Sequence, residues 1–321
     1  MKNIIDAAQF VEVLKVLPDT LILTSHINPD GDGIGSMVAM GMALRQIGKA
    51  VHYVLKEPVK DYYQQLPGVS EIQYQFPKDC QDFALMTFDC SSMDILSLPN
   101  GWKDRVKTIV VLDHHLSNHG FGDYHFVRTD CISSCVLTYE AVLALGVKLT
   151  REMATLMYLG LVYDTGRFSY TSDPDAFSVA AELLRAGGDH QAVFNCLYRH
   201  NDLKQYRTNS QLISQIEEFY DGRLLVLEIG EQYLNLIDLE ETENLINQIA
   251  DIRDLEIVVV FKYMNQQLTK LCFRSRGTHS VSDIALSFGG GGHRCASGAS
   301  ANMDLASARQ KVLEKIHALN L

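Results

Sequence analysis

The chain has 321 residues, a formal net charge of −11 and 47% hydrophobic residues. That length favours two domains of unequal size, with enough apolar material to fill both cores. The acidic balance argues against a protein that tracks long nucleic acid, which shows a basic face or stripe, and leaves room for a short anionic substrate held locally.

The first segment, MKNIIDAAQF, carries charged and polar residues, and no apolar run approaches the ~20 residues that span a bilayer. A soluble, cytoplasmic protein without membrane association is therefore expected. Cysteines stand at 80, 90, 131, 135, 196, 272 and 295 with no Cys-x-x-Cys pair. They point to neither a disulfide framework nor a zinc knuckle, and read as reduced, mostly buried small residues.

Thr20 to His26, Phe83 to Asp89 and Thr108 to Asp113 are short apolar runs that end in a polar residue, the pattern of buried parallel strands. Between the first two, Gly35 to Ile47 places Met37, Met40, Ala43, Leu44 and Ile47 at helical spacing on one face. Alternating strand and helix predicts an α/β sheet, in which ligands bind beyond the carboxyl ends of the strands. His26, Asp89 and Asp113-His114-His115 fall there. From Ser134 to about Gln215 the pattern is helical, and Arg151 to Tyr163 delivers Asp164 before a stop at Gly166.

Beyond the polar stretch near His200 to Glu218, strands are predicted at Leu224 to Ile229, Ile257 to Tyr263 and Leu268 to Phe273. Helices are predicted at about 241 to 250 and 304 to 318. The chain thus reads as an α/β protein. A parallel-sheet domain with helices on both faces covers 1–188, a helical linker 189–217, and a smaller α+β domain 218–321. Gly289-Gly290-Gly291-Gly292-His293 is its oddest feature, since each Gly loses more backbone freedom on ordering than any other residue.

His26-Ile27-Asn28-Pro29-Asp30-Gly31-Asp32-Gly33 offers three ligand-type side chains in seven residues. Any one Asp here would serve as a plain turn or N-cap residue. A calcium loop requires Glu at its twelfth position, which counted from Asp30 is Gly41, and a P-loop requires Lys where Gly35 precedes Ser36. Asp89 alone would read as an N-cap, whereas two His after an Asp at a strand end carry the mixed N and O donors that suit Mn, Zn or Fe. Asp164 sits at the negative end of a helix dipole, where a cation would relieve it. Two divalent ions would balance Asp30, Asp32, Asp89 and Asp164; unscreened, two such charges ~4 Å apart cost roughly 4 kcal/mol at an effective dielectric of about 20. The glycines read either as a flexible loop or close backbone crossing, or as a cradle whose amides meet a phosphate. Arg274 and Arg276 read as surface charge or as a phosphate clamp.

Taken together, these motifs resemble the DHH phosphoesterase family with its DHH-associated C-terminal domain, in the branch of nanoRNases and pAp phosphatases. The resemblance covers nearly the whole chain, through His26 to Ser36, Asp89, Asp113-His114-His115, Asp164-Thr165-Gly166 and Gly289 to His293. It implies two Mn²⁺ ions, one on His26, Asp30 and Asp89, the other on Asp32, Asp89, His114 and Asp164. It further implies that Asp89 bridges the ions, His115 faces the scissile phosphate and Asp113 orients the His pair. Arg274, Ser275, Arg276, Gly289, Gly290, Gly291, Gly292 and His293 would hold the rest of the nucleotide. One departure stands out, because relatives often carry Arg where this chain has Asp94. The implied activity is degradation of short RNA oligonucleotides to mononucleotides and dephosphorylation of 3′-phosphoadenosine 5′-phosphate (pAp). Alternatives are a cyclic-di-AMP or pApA phosphodiesterase and a metal-loaded nucleotide sensor without turnover. The expected partners are short RNA or small nucleotides, and a homodimer is a further expectation.

Overall fold

In the computed structural model, residues 2–3, 6–77, 80–199, 202–234, 236, 242–319 and 321 are described. Position 241, where the sequence places a helix start, and positions 200 and 201 of the expected linker lie outside them. The chain forms two compact units, Met1–His200 and Asn201–Leu321.

The first unit is built on strands β1 (Lys2–Asn3), β2 (Thr20–Ser25), β3 (Ala50–Tyr53), β4 (Phe83–Phe88), β5 (Val106–Asp113) and β6 (Tyr124–Val127). Their order is β1-β6-β5-β4-β2-β3, and every neighbouring pair is parallel. Its helices are α1 (Ala7–Val16), α2 (Gly31–Gln46), α3 (Ser134–Ala144), α4 (Arg151–Asp164), α5 (Pro174–Arg185) and α6 (His190–Tyr198). Alternate residues of the central strands, such as Leu21, Leu23, Ala84, Met86 and Leu112, join one core with apolar residues from all six helices. The opposite residues Ile22, Phe83 and Leu85 pack beneath Cys80, Leu98 and Trp102. The parallel α/β class thus holds, but the helical cover expected on both faces is replaced on one by irregular segments. The apolar run 83–88 looks the same from either side, so its periodicity could not tell which face a helix covers.

α2 is longer and more deeply buried than its one-sided pattern predicted, with Gly31 to Gly41 buried all round. A helix enclosed on every side lies in the middle of a core, here against α3 and α4.

The second unit has strands β7 (Glu217–Phe219), β8 (Leu224–Ile229), β9 (Ile257–Asn265), β10 (Leu268–Ser275), β11 (Gly291–Gly292) and β12 (Ala296–Ala301). They are ordered β11-β12-β10-β9-β8-β7, antiparallel except for β8 with β9. Its helices are α7 (Leu203–Ile213), α8 (Glu243–Ala250), α9 (Val281–Leu286) and α10 (Leu305–His317). Residues of α9 and α10 fill a core on one face of the sheet, and residues of α8 fill one on the other. No helix among the described residues is long and apolar enough to cross a membrane.

Candidate metal centre

Three neighbouring strands, β2, β4 and β5, end at the same edge of the first sheet and deliver His26, Asp89 and the Asp113-His114-His115 run. Asp30 caps α2, its Oδ1 accepting from the amides of Asp32 (2.9 Å) and Gly33 (3.1 Å). That cap fixes Asp32 in the first turn, facing the strand ends. Asp164 closes α4, and two glycines bring α4 against α2. A Cβ on Gly35 would lie 2.3 Å from the Leu156 carbonyl oxygen, and one on Gly160 would lie 2.5 Å from Asp32 Oδ1. Only helices without side chains at the crossing approach so closely.

The donors form two sets, His26 with Asp30 and Asp89, and Asp32 with His114 and Asp164; within each the ligand atoms lie within 4.8 Å of one another. Asp89 joins the sets. Its Oδ2 is 3.6 Å from His26 Nε2 and its Oδ1 is 3.4 Å from His114 Nε2. His114 Nε2 also lies 3.1 Å from Asp164 Oδ2 and 3.8 Å from Asp32 Oδ2. Asp89 adopts φ 53°, a left-handed conformation uncommon for a residue with a Cβ, which turns its carboxylate out of strand register.

Backbone carbonyls orient the imidazoles. His26 Nδ1 lies 2.8 Å from the Ile27 carbonyl oxygen and His114 Nδ1 lies 3.1 Å from that of Cys131. A proton on each Nδ1 leaves Nε2 to face the carboxylates, the usual second contact of a metal-bound His. His115 differs, since its Nδ1 is held by Asp113 Oδ1 at 2.8 Å. Asp113 in turn accepts from Asn118 Nδ2 at 2.7 Å.

Asp32 is fully buried and accepts from Ser133 Oγ (2.7 Å), the Ser134 amide (2.6 Å) and the Cys135 amide (2.9 Å), at the positive end of α3. Ser134 Oγ donates to Asp89 Oδ1 at 3.2 Å. Sequence reasoning missed Ser133, Ser134 and Asn118. The pair Ser133-Ser134 before the apolar run Cys135 to Leu137 is a helix-start signature and could have placed an anion-binding helix terminus there.

The electrostatics are those of a site built for cations. Burial and the Asp89 charge push Asp30 up to about 7. Asp32 is raised by burial and by Asp89, and Asp164 by burial and by Asp32. Burial would raise Asp89 too, but contacts with His114 and His26 hold it well below the usual carboxylate range. For His26 burial is outweighed by Asp89 and Asp30, which raise it to about 10; His114 is raised against burial by Asp164 and Asp89. Mixed N and O donors, correctly oriented imidazoles and the shared Asp89 fit two divalent ions.

Residues 20–161 match the family model described as DHH family, N-terminal domain. Over this stretch, which holds every proposed metal ligand except Asp164, the chain is similar to the DHH family. Over 309 residues it is 29% identical to the bifunctional oligoribonuclease and PAP phosphatase NrnA of Thermus thermophilus, covering 95% of this chain and 91% of the relative. The protein of the same name from Bacillus subtilis is 27% identical over 290 residues, covering 88% and 90%. In fold the chain is similar to an exopolyphosphatase-related protein from Bacteroides fragilis, with TM-score 0.85, 20% identity and coverage of 98% and 96%. RecJ in complex with Mn²⁺ from Thermus thermophilus is more distant, with TM-score 0.56, 16% identity and coverage of 98% of this chain and 54% of that one.

The expected nucleotide-binding residues lie in the second unit, and the structure brings only some of them together. Ser275 Oγ donates to the His279 carbonyl (2.8 Å) and its amide to the Cys295 carbonyl (2.8 Å), tying it to the turn after the glycines. Arg274 and Arg276 instead lean on the α8 side, donating to Asn247 Oδ1 (2.9 Å) and to the Ile252 carbonyl (2.7 Å). Gly291–Gly292 forms an edge strand on β12, and the His293 amide donates to the Ala296 carbonyl at 2.7 Å. A Cβ at Gly290 would lie 2.1 Å from the Gly298 carbonyl oxygen, so here the close backbone crossing decides the residue. Asp94 is exposed on the short turn Met93–Ile95.

Proposed function

We propose that this protein is a manganese-dependent phosphoesterase that degrades short RNA oligonucleotides to mononucleotides and dephosphorylates pAp. The observation that carries the reading is the pair of donor sets meeting at Asp89. The names of the relatives supply the substrate class.

His26, Asp30 and Asp89 would hold one ion, and Asp32, His114 and Asp164 the other, with Asp89 shared. When bound, the ions supply charge for the phosphate oxygens and acidity for the attacking water. The rest falls to the protein. Asp113 fixes the ring of His115 through Nδ1, so chemistry at the phosphate passes through Nε2. His115 is raised from its ordinary value, against burial, by Asp113 and then by Asp89, which suits a group that donates a hydrogen bond or proton to a phosphate oxygen. Asn118 holds the Asp113 carboxylate in place. The second unit would serve as the DHH-associated domain, contacting nucleotide through Ser275 and Gly289 to His293, whereas Arg274 and Arg276 are engaged on the α8 side.

The test is incubation of purified protein with a labelled RNA dinucleotide, and separately with pAp, across Mn²⁺, Mg²⁺, Co²⁺ and Zn²⁺. Mononucleotide and inorganic phosphate are expected, most strongly with Mn²⁺. No release under any of these ions rejects the reaction.

A further inference from the structure

Each of the three loops that carry the central ligands also exposes one large aliphatic side chain. Ile27, which follows His26, is 49% exposed; Met93, on the turn after Asp89, is 38% exposed; Leu116, which follows His115, is 66% exposed. The loops are tied to one another. The Ile27 amide donates to the Ile95 carbonyl at 2.8 Å, His26 bridges to Leu96, and Asn118 Nδ2 lies 3.4 Å from the Cys90 carbonyl oxygen. A lone exposed aliphatic residue needs no explanation. These three come from neighbouring strands, at the one sheet edge where the metal donors collect.

Cations, water and phosphate gain nothing from such side chains, whereas a nucleobase has apolar faces that pack on them. Resting on the phosphoesterase reading above, we infer that Ile27, Met93 and Leu116 form an apolar rim that grips the base next to the scissile phosphate. The rim would select base-bearing phosphoesters over inorganic polyphosphates and sugar phosphates, a choice that the metal donors alone would not make. Being apolar and without a hydrogen-bond donor, it would accept purines and pyrimidines alike.

The experiment compares kcat/KM for an RNA dinucleotide with that for the same backbone lacking one base. Leu116→Ser should lower this ratio roughly tenfold, the worth of covering one Leu-sized side chain. Ile27→Ser should lower it in the same direction, and Leu116→Met should restore it. A ratio unchanged in both serine variants overturns the rim, including the case where both substrates slow equally through damage to His115. A dinucleotide carrying 2-aminopurine reads the base contact without turnover. Its affinity for metal-loaded protein should fall about tenfold in Leu116→Ser, and equal affinity for both proteins overturns the rim. If the wild-type protein hydrolyses no dinucleotide, the reaction assigned above fails on its own, and the fluorescence titration still decides the rim.

Discussion

Asp89 is the residue on which the two donor sets converge, and its left-handed backbone has a cost that the proposed bridging role would explain. Replacement by Asn keeps shape and removes the charge that both ions would share. Asp89→Asn should abolish binding of both Mn²⁺ ions in a calorimetric titration and lower activity by at least about a hundredfold. Retention of one tight ion would show that the sets are independent. Asn118 works one step further out, on Asp113 and through it on His115. Asn118→Ala should reduce kcat by about ten- to a hundredfold with metal affinity little changed, because no donor is lost while the His115 ring loosens. At this scale the sequence pointed to the candidate donors and only indirectly to the groups that hold them. Asp and His at strand ends announce themselves, whereas the Ser134 and Cys135 amides that hold Asp32 are signalled only through the helix start at Ser133-Ser134.

Among the elements, the crossing of α2 on α4 decides whether Asp164 reaches Asp32. Gly35→Ala places a methyl group against the Leu156 carbonyl, which is backbone and cannot swing away. The variant should lose about 1–3 kcal/mol in urea denaturation and bind metal more weakly, since the helices must separate. Stability and metal binding unaffected by the methyl group would mean that the close crossing is not required. In the second unit, Gly290→Ala meets the Gly298 carbonyl and Ala299 in the same way. The helix periods of α2 and α4 were readable in the sequence, whereas their separation was not. A glycine in a helix reads as a weakness until its neighbour is known. The short strands β1, β3, β6, β7, β11 and β12 escaped sequence reading for a related reason, being two to six residues long and, in Gly291–Gly292 and Ala296–Ala301, poor in strand-forming side chains.

For the whole molecule, the buried charges couple stability to pH. Asp30, raised from 3.8 to about 7, stabilises the metal-free fold below 3.8, and that contribution is lost as pH rises through 7. His26, raised from 6.5 to about 10, contributes up to 6.5 and loses its contribution as pH climbs towards 10. Both act in one direction, while Asp89, held low, stays ionised throughout and adds no slope between pH 5 and 9. The metal-free protein should therefore melt at progressively lower temperature from pH 5 to pH 9, and saturating Mn²⁺ should raise Tm more at the alkaline end. A metal-free Tm that rises over this range would contradict the charge balance described here. By itself the sequence determined the α/β class and which side chains end the central strands, because burial pattern and polar strand ends are local properties of a few consecutive residues. Only the tertiary structure decided that Asp89 joins two donor sets, that helices cover a single face of the first sheet, and that Arg274 and Arg276 turn towards α8. Those facts depend on how closely distant segments approach, and a one-dimensional pattern of hydrophobic and polar residues does not encode distance.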